Sequence, residues 1–192
     1  MHRPLRFAAA ALFITTLAAA CGGDDGGSTG LEAIYQLESW THNPDSCDGE
    51  GPASFEEGVY THFFVRFDSF FGEEFVAAVT CESLDECRTD AADDDTLFLG
   101  GFFFDSGDDD AGWTGDSSVL SIGDTSCTGS VFQATLTGVP GESVRIDEET
   151  KTVTDVPLGE EDDCDNEAAY QQADGLPCEQ LTVVTGSYLE SI

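Results

Sequence analysis

From Leu31 onward apolar residues recur at every second position in short runs, and clusters of Gly, Asp, Asn, Pro and Ser separate the runs. That period predicts strands joined by turns. In "LEAIYQLESWTHN" (31–43) Ile34, Gln36, Glu38 and Trp40 share one parity and Tyr35, Leu37 and Ser39 the other, which predicts a first strand. In "GVYTHFFVRFDSF" (58–70) Phe63, Val65 and Phe67 alternate with Tyr60, His62, Phe64 and Arg66. "EEFVAAVT" (73–80) follows as the hairpin partner. "TLFLGGFFF" (96–104) is a continuous apolar run, short enough for a buried strand, and "DSGDDDAG" (105–112) reads as a loop. "WTGDSSVLSIG" (113–123) and "CTGSVFQATLTGV" (127–139) predict two strands joined by a turn at Gly123-Asp124. "ESVRIDEETKTVTDV" (142–156) reads as a hairpin about the four residues DEET, and "CEQLTVVTGSYLE" (178–190) as the closing strand.

Two stretches break the period. "CESLDECRTDAADDD" (81–95) predicts a short exposed helix. "CDNEAAYQQADG" (164–175) predicts a better one, capped by Asp165, carried by Ala168, Ala169 and Ala173, and stopped by Gly175. About eight or nine short strands with turns between them make the fold class all-β. A single antiparallel barrel, its last strand paired back on its first, is the expected architecture, with a β-sandwich as the alternative. The chain shows no internal repeat, so residues 31–192 form one expected domain. In strand count and order this layout resembles the lipocalin-type barrel, a resemblance that implies a fold and no function.

The first twenty residues, "MHRPLRFAAAALFITTLAAA", have a basic start at Arg3 and Arg6 and then an apolar run. The run is too short for a membrane span and fits a signal peptide. "LAAAC" (17–21) then resembles the lipobox of bacterial lipoproteins, with Ala18 where the common pattern has Leu. The resemblance implies cleavage before Cys21 and lipid on its sulfur. "GGDDGGSTG" (22–30) follows as a flexible, acidic tether. The expected place is the cell envelope, extracytoplasmic and lipid-anchored. Gly22 follows the cysteine, and in a Gram-negative host this favours the outer membrane.

Cysteine parity agrees. Of seven cysteines, lipid on Cys21 leaves Cys47, Cys81, Cys87, Cys127, Cys164 and Cys178, enough for three disulfides in an oxidising compartment. The expected pairs are Cys164 with Cys178, Cys81 with Cys87, and Cys47 with Cys127. No Cys-x-x-Cys spacing suggests zinc.

Charge narrows the partners. The chain has 39 acidic and 6 basic residues, a formal net charge of -33. Without Arg3 and Arg6, only Arg66, Arg88, Arg145 and Lys151 oppose those acids. Such a surface repels nucleic acid. It suits solubility in salt, or weak binding of divalent cations. Asp105, Asp108, Asp109, Asp110 and Asp116 are the calcium candidates, although their spacing is not that of an EF-hand.

Catalytic motifs are missing. The chain has no Gly-x-Ser-x-Gly elbow and no phosphate loop. His62 reads as a wall residue and His42 as a polar residue at a strand end. The aromatics are more suggestive. Trp40, Phe63, Phe67, Phe102 and Phe104 are candidates to line a cavity for an apolar ligand. The functional expectation is a non-enzymatic binding or envelope-interaction module on a membrane. Its partners would be the bilayer, through Cys21, and a small apolar ligand or an envelope protein. No cofactor is expected unless calcium. The alternatives are a calcium-binding structural envelope protein, a soluble secreted protein, or an enzyme.

Overall fold

The structure, a computed structural model, describes residues 30–43, 47, 59–70, 73–93, 101–159 and 163–192. The signal segment, Cys21 and all of the tether but Gly30 lie outside the described residues. Nine strands form one antiparallel sheet: β1 (Ala33–Asn43), β2 (His62–Phe70), β3 (Glu73–Cys81), β4 (Phe102–Phe104), β5 (Ser106–Asp108), β6 (Gly112–Ile122), β7 (Cys127–Val139), β8 (Ser143–Val156) and β9 (Gln180–Glu190). Among the described residues there are two helices, α1 (Leu84–Ala91) and α2 (Asn166–Asp174). The strand order is β4-β3-β2-β1-β9-β8-β7-β6-β5. The last strand therefore pairs with the first, as the alternation predicts.

β4 and β5 stand at opposite ends of that order yet are consecutive in the chain. Phe102–Phe104 pair with β3, Ser106–Asp108 pair with β6, and the Asp105 N–H between them donates to the Thr114 carbonyl at 3.0 Å. One short stretch thus serves both edges of the sheet and nearly closes it into a barrel rather than a sandwich. Closure brings β4 against β6 at Gly115. A Cβ there would lie 1.9 Å from the Phe103 carbonyl oxygen and 2.8 Å from the Phe104 Cα. The acidic stretch read as a loop is therefore in part a strand.

Two more readings change. DEET does not turn. Residues 143–156 form one 14-residue strand, β8, paired with β7 and β9 along most of its length. The stretch lacks Gly, Pro and Asn, and the strand runs through it while the buried positions change face, from Val144 and Ile146 to Val153. In β1 a register shift between Leu37 and Ser39 inserts one residue. A bulge exchanges the faces beyond it. Trp40 therefore joins Tyr35 and Leu37 on the inner face instead of Ile34.

The inner core joins Leu31, Ala33, Tyr35, Phe63, Val65, Val76, Ala78, Phe104, Leu136, Val144, Ile146 and Val184, all no more than 3 % exposed. Outside the barrel, α1 lays Cys87 and Ala91 on Ile34, Phe64, Ala77 and Val79. Ser83 caps α1 by accepting from the Glu86 N–H. α2 lays Ala169 and Ala173 on Val131, Val153 and Val156. Asp165 caps it, as predicted, and Gly175 ends it.

The disulfides are Cys47–Cys178, Cys81–Cys87 and Cys127–Cys164. The local pair is as expected; the other two are exchanged. Cys164 and Cys178 flank the nine residues of α2. A helix of that length spans about 13 Å, and bridged cysteines need Cα atoms within about 7 Å. Cys164 is instead bonded to Cys127 at the start of β7, and Cys178 to Cys47 in the β1–β2 connection.

Gly115→Ala is expected to lower stability by about 3 kcal/mol, because the clash is with backbone and cannot be relieved by a rotamer. Gly175→Ala, whose nearest neighbour would lie 3.7 Å away, is expected to change stability by less than about 1 kcal/mol. The midpoints of guanidinium unfolding of both variants, disulfides intact, test this.

Candidate functional site: an interior cup at one end of the barrel

The two ends of the barrel differ. At the first end lie Gly30, the β5–β6 turn and the β7–β8 turn. Leu31 crosses beneath the core there, and a built Cβ on Gly138 would meet its side chain. Tyr35 donates to the Leu31 carbonyl at 2.7 Å, stacks on Phe63 at 5.4 Å and meets Tyr188 edge-on at 6.3 Å. Burial first, then Tyr188 and Asp109, push the Tyr35 phenol up to about 12. Phe67 and Trp113 make an edge contact at 6.3 Å. The Asp109 carboxylate accepts from the Trp113 indole N–H at 2.9 Å and from the Gly30 N–H. This end is plugged.

At the other end β6, β7 and β8 run on past the neighbouring strands. The inner face there changes from apolar to polar. On β8 the face that carries Val144 and Ile146 continues as Glu148, Thr150 and Thr152. Glu148 pairs with Ala134 on one side and Thr182 on the other, and Thr182 pairs with His42. His42 Nδ1 lies 3.0 Å from Thr182 Oγ1. One row deeper, Trp40 pairs with Val184, and Trp40 and Phe102 rings meet at 6.0 Å. One row outward, Phe132 pairs with Thr150.

Exposure separates the two halves. The inner core is sealed, but Trp40, His42, Phe102, Phe132, Glu148 and Thr150 are each only half-buried while facing inward. We read these half-buried inward residues as the walls of a cup at this end of the barrel. Its deep side is apolar, made by Ile146 and Val184, and its lip carries Glu148. Burial alone pushes the Glu148 carboxyl up from the ordinary glutamate value. The helix α2 props the β6–β8 extension from outside, and Cys47–Cys178 ties the β1–β2 connection to the start of β9 at the same end.

The sequence-derived candidates divide accordingly. Trp40, Phe63, Phe67, Phe102 and Phe104 all face inward. Phe63 and Phe104 are fully buried packing, and Phe67 belongs to the plugged end. Trp40 and Phe102 line the cup. Glu148 and Phe132 were not among the candidates. Glu148 was hidden by reading DEET as a turn; its even parity with Val144 and Ile146 was the available signal.

The five calcium candidates are not brought together. Asp108 caps its own turn, accepting from the N–H groups of Asp110 and Ala111. Asp109 holds the plug. Asp116 stands on the outer wall beside Gln133, where burial is the main cause raising its carboxyl and Asp174 and Asp105 add to it. Among the described residues no three His, Cys, Asp or Glu side chains are grouped to hold a metal. His62 faces outward, its Nδ1 2.7 Å from Thr61 Oγ1.

Glu148 holds its proton to higher pH in the folded chain than in the unfolded one. Stability therefore falls as pH rises from the ordinary glutamate value through the raised one. Glu148→Gln is expected to raise the melting temperature by a few degrees at neutral pH and to change little near pH ~3, where both states are protonated. Melting curves at the two pH values check this, with Glu149→Gln, on the outer face, as control.

Among known proteins, no family model, no curated sequence and no solved structure matches the chain.

Proposed function

We propose that the chain is a non-enzymatic binding module, held at an extracytoplasmic membrane surface by lipid on Cys21, whose barrel takes a small, largely apolar ligand in the cup. The observation that supports this reading most is the set of half-exposed inward aromatics, Trp40, Phe102 and Phe132, above a sealed core. Aromatic walls with a few polar groups are the usual composition of small-ligand sites. Leaving such rings in contact with water costs stability that packing them would recover, and a ligand supplies that packing.

Three disulfides favour an exported chain. They use every cysteine except Cys21, which suits its role as anchor. Gly30 sits at the plugged end, against Asp109. A tether of residues 22–30 spans at most about 30 Å. On this reading the plugged end faces the bilayer and the cup opens away from it, toward ligand in the aqueous phase.

The test is the full chain exported as Cys21→Ser, so that no acyl chain competes for the cup. The probe is the uncharged dye N-phenyl-1-naphthylamine, chosen because an acidic protein repels anionic dyes. Dye emission is expected to rise with saturation and to draw excitation from tryptophan. Trp40→Ala is expected to weaken binding by about fivefold or more, while Trp113→Phe, at the plugged end, leaves it unchanged. No saturable signal, or equal binding in Trp40→Ala, overturns the reading.

A further inference from the structure

Resting on that reading, we propose that the cup selects a hydrophobic cation, an amine or quaternary ammonium with an apolar body of about 10 Å, the charge seated at Glu148 and the body on Trp40 and Phe102. The first support is what Glu148 lacks. All four basic residues beyond the targeting segment lie on outer surfaces and are engaged there. Arg66 pairs with Asp68 and donates to the Ala91 carbonyl; Arg88 grips Glu190 and Asp85. Arg145 grips Asp147, and Lys151 donates to Gln133 and lies 3.5 Å from Glu149. No lysine or arginine remains to face Glu148 across the cup. His42, on the same row, has its Nδ1 against Thr182.

A carboxylate drawn out of water without a cation is costly, and a ligand that brings the cation removes the cost. The second support is the wall. Trp40 lies two strand spacings from the Glu148 strand, about 10 Å, and one inner-face step deeper, about 7 Å. A molecule with its charge at the lip and its apolar body directed inward matches that offset. The third support is the field. With 39 acidic residues the protein concentrates cations near its surface and repels anions. A fatty acid would bring a second carboxylate to Glu148, and like charges in a partly dry site repel.

Three probes of equal chain length test it on the exported Cys21→Ser chain: decyltrimethylammonium, decanol and decanoate, each below its micelle concentration. Binding is read by tryptophan emission in about 0.5 M sodium chloride, where surface attraction is screened. Decyltrimethylammonium is expected to bind about tenfold more tightly than decanol, and decanoate more weakly than either. Glu148→Gln is expected to abolish the preference, so that decyltrimethylammonium and decanol bind alike. Glu149→Gln, which removes the same charge from the outer face, is expected to keep it. Equal affinity of cation and alcohol in the parent, or a preference that survives Glu148→Gln, overturns the cation assignment and leaves an apolar cup. Binding of none of the three overturns the cup as well.

Discussion

A backbone hydrogen bond from the Asp105 N–H to the Thr114 carbonyl, 3.0 Å long, marks the place where two edges of one sheet become one wall. The chain before it belongs to β3 and the chain after it to β6. An open sheet of nine strands would leave two unpaired edges and one apolar face in water. Near-closure shortens both edges and creates an inside. It requires β6 to approach the Phe103 carbonyl more closely than any Cβ permits, and Gly115 meets that requirement. A second contact of the same kind lies across the barrel, where the Phe63 ring occupies the space a side chain would take at Gly186.

Closure makes an interior but does not decide how much of it is filled. That follows from where the pairing stops. β6 pairs with β5 only as far as Thr114 and β8 with β9 only as far as Thr150, whereas β6, β7 and β8 stay paired with one another to Ile122, Cys127 and Val156. Where all strands are present the inner face is apolar and sealed. Where only the long ones continue, the inner face meets water and turns polar. The outer face of the same extension becomes apolar where α2 covers it, with Ala169 and Ala173 on Val131 and Val153. In the chain-entropy account Cys47–Cys178, closing a 131-residue separation, restricts the unfolded state by about 5 kcal/mol. Cys127–Cys164 fixes the segment leading into α2 to β7.

Most of this frame is legible in the sequence. Parity alone places Phe63, Val65 and Phe67 inward, the terminal strands are long enough to pair, and Asp165 and Gly175 bracket α2. The failures share a cause. Sequence reasoning treats a polar inner position as a break in the strand, because it assumes the inside is apolar along its whole length. DEET reads as a turn for that reason, and Glu148 is lost with it. The bulge at Leu37–Ser39 is invisible for a different reason: an inserted residue changes no composition, only which face follows. Two disulfides differ for reasons of distance. Cys164 with Cys178 would clip the late helix to the start of the final strand, but the helix between them is a rigid spacer.

In a chain with 39 acids, composition cannot single out any one of them. Most can be hydrated, and a hydrated carboxylate reports only on solubility. Position is what distinguishes Glu148. Its neighbours Asp147 and Glu149 face outward and have Arg145 and Lys151 as partners. Glu148 faces the other way, into the barrel, where it is half-buried and, among the described residues, no lysine or arginine faces it. Its neutral isostere glutamine would occupy the same space without the charge, so packing does not require the carboxyl group there. A cost that packing does not explain is the kind of feature a binding site retains, because it disappears when the complementary charge arrives.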